Sequence, residues 1–399
     1  MLFQIGGDWI SLLLWFVFLL FMIFFYPRFM VSQIMWKIER SARMLELMSN
    51  RAKKIVAKEI SKSPDKRLRD SIDGFFEFFL ITPVSLDPFG IVKKFDHVIQ
   101  NQKERFTYFV NQVAPKANPE KRACIEMGLA GGMAVHEIAK IVRHYVEMVR
   151  KTKSIQIAMI LQMQLPLIER IAKGMFRGTI ALSKGQPIGD GLGPLVVADL
   201  IGNNKVEEIE EDILMAKTTL DGREIFVLKA KGPGGRIGRP GKAVEKLIKS
   251  HDIARVITID AAAKLEGEKT GSTAEGVGVA MGGPGVERSY IEDIVVKKKI
   301  PLDSIIVKMG QEEAIMPMRK AIKDSLPKVR KSIRESLERT KKGDKVIIVG
   351  VGNTSGIGNS GKDVIRVGKW VDSYESKMKK IMKKKKKKDI EDVGLNDGF

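Results

Sequence analysis

The chain has 399 residues, more than one hydrophobic core usually serves, so we expect two folded regions with appended segments. A single cysteine, Cys124, excludes a fold held together by disulfides within the chain, and a hydrophobic content of 44% is typical of a globular protein that carries a membrane segment. The formal net charge of +21 favours an anionic partner.

The first predicted element is an apolar membrane helix. The run Trp9–Tyr26 carries no charge, and a helix of that length roughly crosses the hydrocarbon core of a bilayer. Asp8 precedes the run and no small-residue cleavage site follows it, which favours a retained anchor over a cleaved signal peptide. The charges after the run are mostly basic, so the positive-inside rule predicts a single-pass membrane protein with the bulk of the chain in the cytoplasm. We assign the anchor to residues 1–30.

Helical periodicity continues after the anchor. We predict a juxtamembrane amphipathic helix and linker over residues 31–70 and a helical domain over residues 71–174. The apolar run Phe75–Ile81 is too short to span a membrane and either lies against the bilayer or joins a helical core. The segment Ala130–Ala134 predicts a helix break or a tight helix contact. Residues 155–167 are interrupted by glutamines and Pro166, which favours a buried amphipathic helix over a second span.

The period changes at Gly178, where a fourth region, residues 175–370, begins. Strands alternating with helices indicate βαβ units, so the predicted fold class is α/β, a three-layer α/β/α domain with a mostly parallel sheet. The predicted strands are Gly178–Ser183, Arg223–Lys229, Ala254–Ile259, Val277–Met281, Ser304–Lys308 and Val346–Val349, and the predicted helices are Gly193–Ile201, Val244–Ile253, Val286–Lys299 and Glu313–Arg339.

Residues 371–399 form a lysine-rich tail that includes the run Lys383–Lys388. Such a run is usually a solvated, disordered extension, and binding to anionic lipid headgroups is the next interpretation. Nucleic acid is an unlikely partner because no nucleic-acid motif is present and no aromatic residues interleave with the lysines. Membrane lipid is therefore the predicted partner of the tail, and the sequence carries no signal for an oligomeric state.

Two segments each place an aspartate where a strand is predicted to end. These are Asp190, in Ile-Gly-Asp-Gly-Leu-Gly-Pro, and Asp260, in Val-Ile-Thr-Ile-Asp. Ligands of open α/β sheets bind beyond the carboxyl ends of the strands, so the two acids could converge on one crevice, share a proton and activate water. Alternatively, each aspartate caps the helix that follows it.

Two glycine-rich loops are further candidates. Lys231–Gly241 lacks the ending of a phosphate-binding P-loop, but its Arg236 and Arg239 could hold an anionic group or a carboxylate. The loop Gly350–Asn359 follows a predicted strand, and the backbone amides near Gly352 and Asn353 could form an anion site. A plain tight turn explains the second loop equally well.

These motifs together resemble the germination protease family and, more loosely, the hydrogenase maturation peptidases. The resemblance rests on the segment around Asp190, then on Asp260 with the alanines after it, a threonine-containing stretch, a Gly/Pro loop that opens a helix, and a Gly-x-Gly-Asn turn. It implies a peptidase-like domain with catalytic Asp190 and Asp260. The substrate-binding positions that it implies are Gly191, Gly193, Thr273, Gly283, Gly285, Gly352 and Asn353.

The resemblance also bears on cofactors. The maturation peptidases add a histidine to their acids to hold a metal, and no histidine follows the later strands here, so we predict neither metal nor cofactor. The whole layout resembles an archaeal membrane family known only as a domain of unknown function. The predicted function is a membrane-anchored, cytoplasm-facing hydrolase that cleaves a protein or peptide substrate. The alternative is a non-catalytic protein that binds a peptide or a small anion.

Overall fold

The computed structural model describes residues 9–83 and 90–394. Within those residues the first six helices are α1 (Trp9–Phe24), α2 (Tyr26–Ile60), α3 (Lys66–Phe75), α4 (Ile91–Val113), α5 (Pro119–Thr152) and α6 (Ile155–Ser183). The remainder contains α7 (Leu192–Ile201), β1 (Glu207–Glu210), β2 (Ile213–Leu220), β3 (Arg223–Ala230), α8 (Pro240–Ser250), β4 (Arg255–Ala263), β5 (Thr273–Val277), α9 (Val286–Lys298), β6 (Leu302–Met309), α10 (Gln311–Ile315), α11 (Lys320–Lys323), α12 (Leu326–Glu338), β7 (Lys345–Gly350) and α13 (Gly361–Gly394).

The apolar run forms a helix that continues into the next one. The amide of Phe25 donates to the carbonyl of Phe21, and that of Phe29 donates to Phe25, so helical hydrogen bonds pass through the junction between α1 and α2. The large apolar side chains of α1 are exposed. By length and composition, one helix in the described part of the chain is long and apolar enough to cross a membrane.

The described residues group into two compact units, and the first comprises Met1–Arg51 and Met133–Lys173. In this unit α2 and α5 run antiparallel, because Ser49 bonds His136 at 2.8 Å whereas Arg143, further along α5, bonds Glu46 and Glu39, which lie further back on α2. The predicted amphipathic helix over residues 155–167 is confirmed as the first half of α6. It buries Ala158, Leu161 and Leu165 and exposes its opposite side.

The second unit comprises Ala52–Gly132 and Gly174–Phe399. The start of the run Phe75–Ile81 joins a helical core here, since the Phe75 ring stacks on Phe109 with centroids 4.0 Å apart and meets Phe106 edge-on at 5.0 Å. The end of the run does not, because Phe79 and Ile81 are exposed. This packing buries aromatic surface that would otherwise face solvent.

The glycines of α5 provide a tight helix contact and not a break. A Cβ on Gly128 would lie 2.1 Å from Oγ of Ser183, and one on Gly131 would lie 3.0 Å from Oγ1 of Thr179. The predicted strand Gly178–Ser183 is therefore wrong, because these residues form the last turns of α6, which packs closely on α5. The β-branched content of that segment reflects helix packing.

The sheet has the order β1-β2-β3-β7-β4-β6-β5 and is mixed. The three central pairings are parallel, whereas β1 with β2, β2 with β3, and β5 with β6 are antiparallel. The prediction of a mostly parallel sheet is thus wrong, because β1 and β2, which were not predicted, extend one edge as a meander. The hairpin between β2 and β3 turns at Asp221 and Gly222, both with positive φ, the residue pair that favours a tight hairpin.

Other boundaries also shift. The strand predicted at Val277–Met281 lies earlier, as β5, and the single helix predicted at Glu313–Arg339 is divided into α10, α11 and α12. The tail, predicted as a disordered extension, is helical in α13 as far as Gly394.

Helices cover both faces of the sheet, which confirms the α/β class. On one face α8 and α9 pack through residues such as Val244, Leu247 and Ile291. On the other face α7, α12 and α13 bury a larger apolar cluster that includes Leu195 and Ile333. Because both faces are buried, polar groups of the central strands reach solvent at the strand ends, where the candidate residues lie.

Candidate active site

The parallel strands β3, β7, β4 and β6 direct their carboxyl ends to one edge of the sheet. The loops after β3 and β7 interact there, since Nδ2 of Asn359 donates to the carbonyl of Gly232 and the amide of Gly232 donates back to Oδ1 of Asn359. This edge is the expected position for ligands of an open α/β sheet.

Asp190 reaches this edge from a short 3-10 turn, Gly189–Gly191, and not from a strand. The turn is fixed by a hydrogen bond from the Gly189 amide to the carbonyl of Met316 at 3.1 Å. Oδ2 of Asp190 accepts a hydrogen bond from the Asn353 amide at 2.8 Å. The N-cap of α7 is Gly191 and makes no side-chain capping bond, so Asp190 binds the β7 loop and does not cap that helix.

Asp260 lies inside β4, which continues to Ala263, so the prediction that a strand ends at this acid is wrong by three residues. The side chain is 5% exposed. Its Oδ1 accepts a hydrogen bond from the Ala261 amide at 2.6 Å, and the Gly282 amide also bonds the carboxyl. No helix follows that Asp260 could cap, so its backbone partners come from its own strand and from a loop after β5.

The charge of Asp190 acts on the carboxyl of Asp260. Burial raises the pKa of Asp260, and the charge of Asp190 raises it further, to about 8. Asp190 keeps partial solvent exposure as a residue, but its carboxyl lies among densely packed atoms, and this burial raises its pKa against the opposing effect of the Asn353 amide. Both carboxyls therefore keep their protons to higher pH than an exposed aspartate does, and the Asp260 carboxyl is protonated near neutral pH.

Glycines allow the backbone contacts that position Asp190. A Cβ on Gly193 would lie 2.2 Å from the carbonyl oxygen of Val351 and 2.6 Å from that of Ile259, so the start of α7 rests directly on the strands. Gly352 has a φ of 129°, and a Cβ there would lie 2.0 Å from the Asp190 carbonyl oxygen. At Gly191 a Cβ would meet the side chain of Ile357 at 2.4 Å. At these three predicted positions the absence of a side chain therefore allows neighbouring segments to approach closely around Asp190.

Asn353 is held in place on both sides. Its Oδ1 accepts a hydrogen bond from the Ser355 amide at 2.9 Å, and its Nδ2 lies 3.3 Å from Sδ of Met127. Met127 belongs to the first half of α5, which therefore covers the β7 loop. Sequence patterns gave no signal for this cover, because it joins segments more than 200 residues apart.

Arg236 and Arg239 are both paired with carboxylates. Arg236 bonds Glu120 at 2.8 Å, and Arg239 bonds Asp96 at 2.5 Å and Glu287 at 3.1 Å. An anion would have to compete with these acids for either guanidinium. Anion binding by the two arginines stays a prediction.

The remaining predicted positions lie at different distances from the acids. Gly283 and Gly285, both with a φ of 83°, belong to the loop that brings the Gly282 amide to Asp260. Thr273 opens β5 opposite Val307 of β6, so a whole strand separates it from β4. The structure therefore brings the glycine loop to the acids but not Thr273.

Lys229 was not predicted as a site residue, although it is the last residue but one of β3 and lies beside the same loops. The side chain is 1% exposed, and its Nζ donates to the carbonyl of Ala230 at 2.7 Å and to Oδ1 of Asn359 at 2.8 Å. Burial lowers its pKa to about 7, against the opposing charges of Asp363 and Glu120. The sequence signal was a lone lysine in the apolar strand Ile-Phe-Val-Leu-Lys-Ala, directly before a glycine-rich loop.

Among residues 9–83 and 90–394, no group of three or more His, Cys, Asp or Glu side chains is arranged to hold a metal ion. Fold and site define an α/β protein with an N-terminal helix long and apolar enough to cross a membrane, and with Asp190 and Asp260 at the carboxyl edge of a mixed sheet. Residues 12–185 match the model described as "Protein of unknown function (DUF1512) N-terminal domain", and residues 188–358 match "Domain of unknown function (DUF1512) C-terminal". The chain belongs to the DUF1512 family.

Membership of a family of unknown function agrees with the layout noted in the sequence. Neither family model supports the resemblance to the germination proteases. No curated protein and no solved structure matches the chain.

Proposed function

We propose that this protein is a membrane-anchored, cytoplasm-facing hydrolase that cleaves peptide bonds with Asp190 and Asp260. The observation that carries the proposal is the raised pKa of Asp260, about 8, caused by burial and by the neighbouring charge of Asp190. Burial of an acid lowers folding stability, and perturbed carboxyls in pairs are typical of acid–base sites.

In the proposed reaction Asp190 is the base and Asp260 is the acid. Ionised Asp190 accepts a proton from water, which attacks the carbonyl carbon of the peptide bond. Protonated Asp260 donates its proton to the carbonyl oxygen, so that the tetrahedral intermediate forms without net charge on that oxygen. Its collapse breaks the C–N bond as the proton held by Asp190 passes to the leaving nitrogen, while one hydroxyl of the intermediate returns its proton to Asp260, so that a carboxylic acid and an amine leave and both aspartates are restored.

The setting of the reaction is the membrane surface. The apolar helix α1 supports a single span, and the excess of basic residues after it supports a cytoplasmic location of the α/β unit. The lysine run Lys383–Lys388 supplies positive charge that is suited to anionic lipid headgroups. Protein or peptide segments in the cytoplasm are the proposed substrates.

The test compares Asp190→Asn and Asp260→Asn with wild type. Full-length proteins in nanodiscs are mixed with denatured cytoplasmic proteins, and new amino termini are counted by terminal labelling and mass spectrometry. Each variant should lose about 100-fold or more of the cleavage rate, because acid–base groups contribute factors of that order. The exposed Asp293, changed to Asn, serves as the matched control and should cleave normally.

Two results would count against the proposal. Equal cleavage by wild type and both variants would remove the aspartate pair from the reaction. A wild-type protein that retains peptides without producing new termini would instead favour the non-catalytic alternative, a module that binds a peptide or a small anion.

A further inference from the structure

The hairpin formed by α5 and α6 has an uncharged, partly exposed tip. The two helices are joined by Lys153 and Ser154 alone, and they run antiparallel, because Gly128 approaches Ser183 while Gly131 approaches Thr179. From Ser154 to Ile168 no residue carries a charge. On the outer side of this segment Met159, Ile160 and Met163 are 52%, 59% and 70% exposed, which is unusual for large apolar side chains of a helix that buries its opposite face.

Contacts within the first unit place this tip along α2. Since α5 runs antiparallel to α2 and α6 runs antiparallel to α5, α6 runs parallel to α2. Oγ of Ser41 donates to Oε1 of Glu169 at 2.7 Å, which sets these two residues side by side. Ile160 precedes Glu169 by nine residues, about 14 Å of helix, so it lies near the level of residue 32 of α2.

Counting helical residues from Trp9 also gives the position of the hydrocarbon boundary of the bilayer along α1 and α2. A hydrocarbon core of about 30 Å takes about 20 helical residues, which counted from Trp9 end near residue 28. The level of Ile160 is then four residues further, about 6 Å beyond the hydrocarbon boundary and within the headgroup layer. By the same count Lys153, exposed at the end of the hairpin together with Lys151, lies near the level of residue 25, about 5 Å inside that boundary, from where its long side chain reaches the anionic headgroups.

We infer that the tip of the α5–α6 hairpin is a second membrane contact, in which Met159 and Ile160 enter the interfacial layer of an anionic bilayer beside the anchor. Apolar side chains backed by lysines are the usual means by which amphipathic helices bind such a layer. The inference rests on the membrane anchoring proposed for α1 and is independent of the aspartate pair. It limits tilting of this helical unit relative to the bilayer, since a span and a separate surface contact both have to stay in the membrane.

The test uses the full chain with Cys124→Ser, reconstituted into vesicles of phosphatidylcholine and phosphatidylglycerol. A nitroxide label is placed by Met159→Cys, and its collision rates with oxygen, which concentrates in lipid, and with a water-soluble nickel complex are measured. Ile141→Cys is the matched control, an apolar residue of the same hairpin that is 49% exposed but lies on α5 away from the tip. Phe18→Cys reports on the anchor.

We expect the Met159 label to show a several-fold lower nickel collision rate and a higher oxygen rate than the Ile141 label. Lys151→Glu with Lys153→Glu should reduce that difference in anionic vesicles. Nickel collisions as frequent at Met159 as at Ile141, with the Phe18 label still in lipid, would overturn the hairpin contact and leave the anchor intact. A Met159 label that collides rarely with both oxygen and nickel would indicate that a second copy of the chain, and not lipid, covers this face. That result would also overturn the hairpin contact. A water-exposed Phe18 label would overturn the anchor and the hairpin together.

Discussion

At the scale of single residues, burial of titratable groups is the main feature of the candidate site. Asp260 and Lys229 are each nearly inaccessible to solvent, and their pKa values move in opposite directions, to about 8 and about 7. Burial disfavours whichever form is charged, so an acid retains its proton and a lysine loses it. Both groups should therefore leave a signature in the pH dependence of stability.

For Asp260, folding stability should fall as pH rises. The folded pKa of about 8 exceeds the value of about 4 in an unfolded chain, so between these values the folded state holds more protons and each rise in pH favours unfolding. Asp260→Asn removes this dependence. Relative to wild type, its thermal unfolding midpoint should increase from pH 5 to pH 8, whereas parallel curves for the two proteins would show that the carboxyl ionises normally. Asp293→Asn is the control.

For Lys229 the sign is reversed. The folded pKa of about 7 lies below the unfolded value of about 10.4, so the unfolded chain holds more protons between them and stability rises with pH. Lys229→Met removes that rise, and its unfolding midpoint should fall relative to wild type from pH 7 to pH 10. The exposed Lys205, changed to Met, should follow wild type throughout. A constant offset between Lys229→Met and wild type would mean that the lysine is already charged in the folded state.

At the scale of elements, the site depends on how closely α7 approaches the sheet. Gly193 and Gly350 meet backbone to backbone, because a Cβ on Gly350 would lie 2.3 Å from the Gly193 carbonyl oxygen. The turn that carries Asp190 directly precedes α7, so any outward shift of the helix would also withdraw the acid. The position of Asp190 therefore depends on the position of α7.

Gly193→Ala should therefore destabilise the fold and displace Asp190. The added methyl group meets two carbonyl oxygens, and overpacking of this kind costs about 1–3 kcal/mol. The measurement is the thermal unfolding midpoint together with cleavage activity. Gly276→Ala is the matched control, since nothing lies within 4 Å of a Cβ there. Equal midpoints for the two variants would show that α7 can move without cost.

Elements with strong local periodicity were predictable, and those defined by distant partners were not. The strands β3, β4, β6 and β7 are buried on both faces and read as continuous apolar runs. By contrast, β1 has the sequence Glu-Glu-Ile-Glu, whose strand character comes only from pairing with β2. Gly178–Ser183 looked like a strand because β-branched and small residues suit both a strand and a close helix contact.

At the scale of the whole molecule, the apolar helix and the distribution of basic residues argue for one orientation. The proposed arrangement places residues before Trp9 outside the cytoplasm and the α/β unit inside it. To test this, Lys331→Cys, at an exposed position of α12, is introduced together with Cys124→Ser. A membrane-impermeant maleimide should label this variant only after cells are permeabilised, and should label Gln4→Cys in intact cells. Labelling of position 331 in intact cells would contradict the cytoplasmic orientation.

The sequence alone determined the α/β class, the apolar helix and the two aspartate segments, because residue periodicity and local glycines report which surfaces a segment buries and where its backbone bends. Only the tertiary structure decided that Asp190 reaches the site from a turn, that Asp260 lies within its strand, that the sheet is mixed, and that Lys229 and the start of α5 adjoin the same loops. These features depend on contacts between residues far apart in the chain. Their energies come from burial and pairing that no local pattern records.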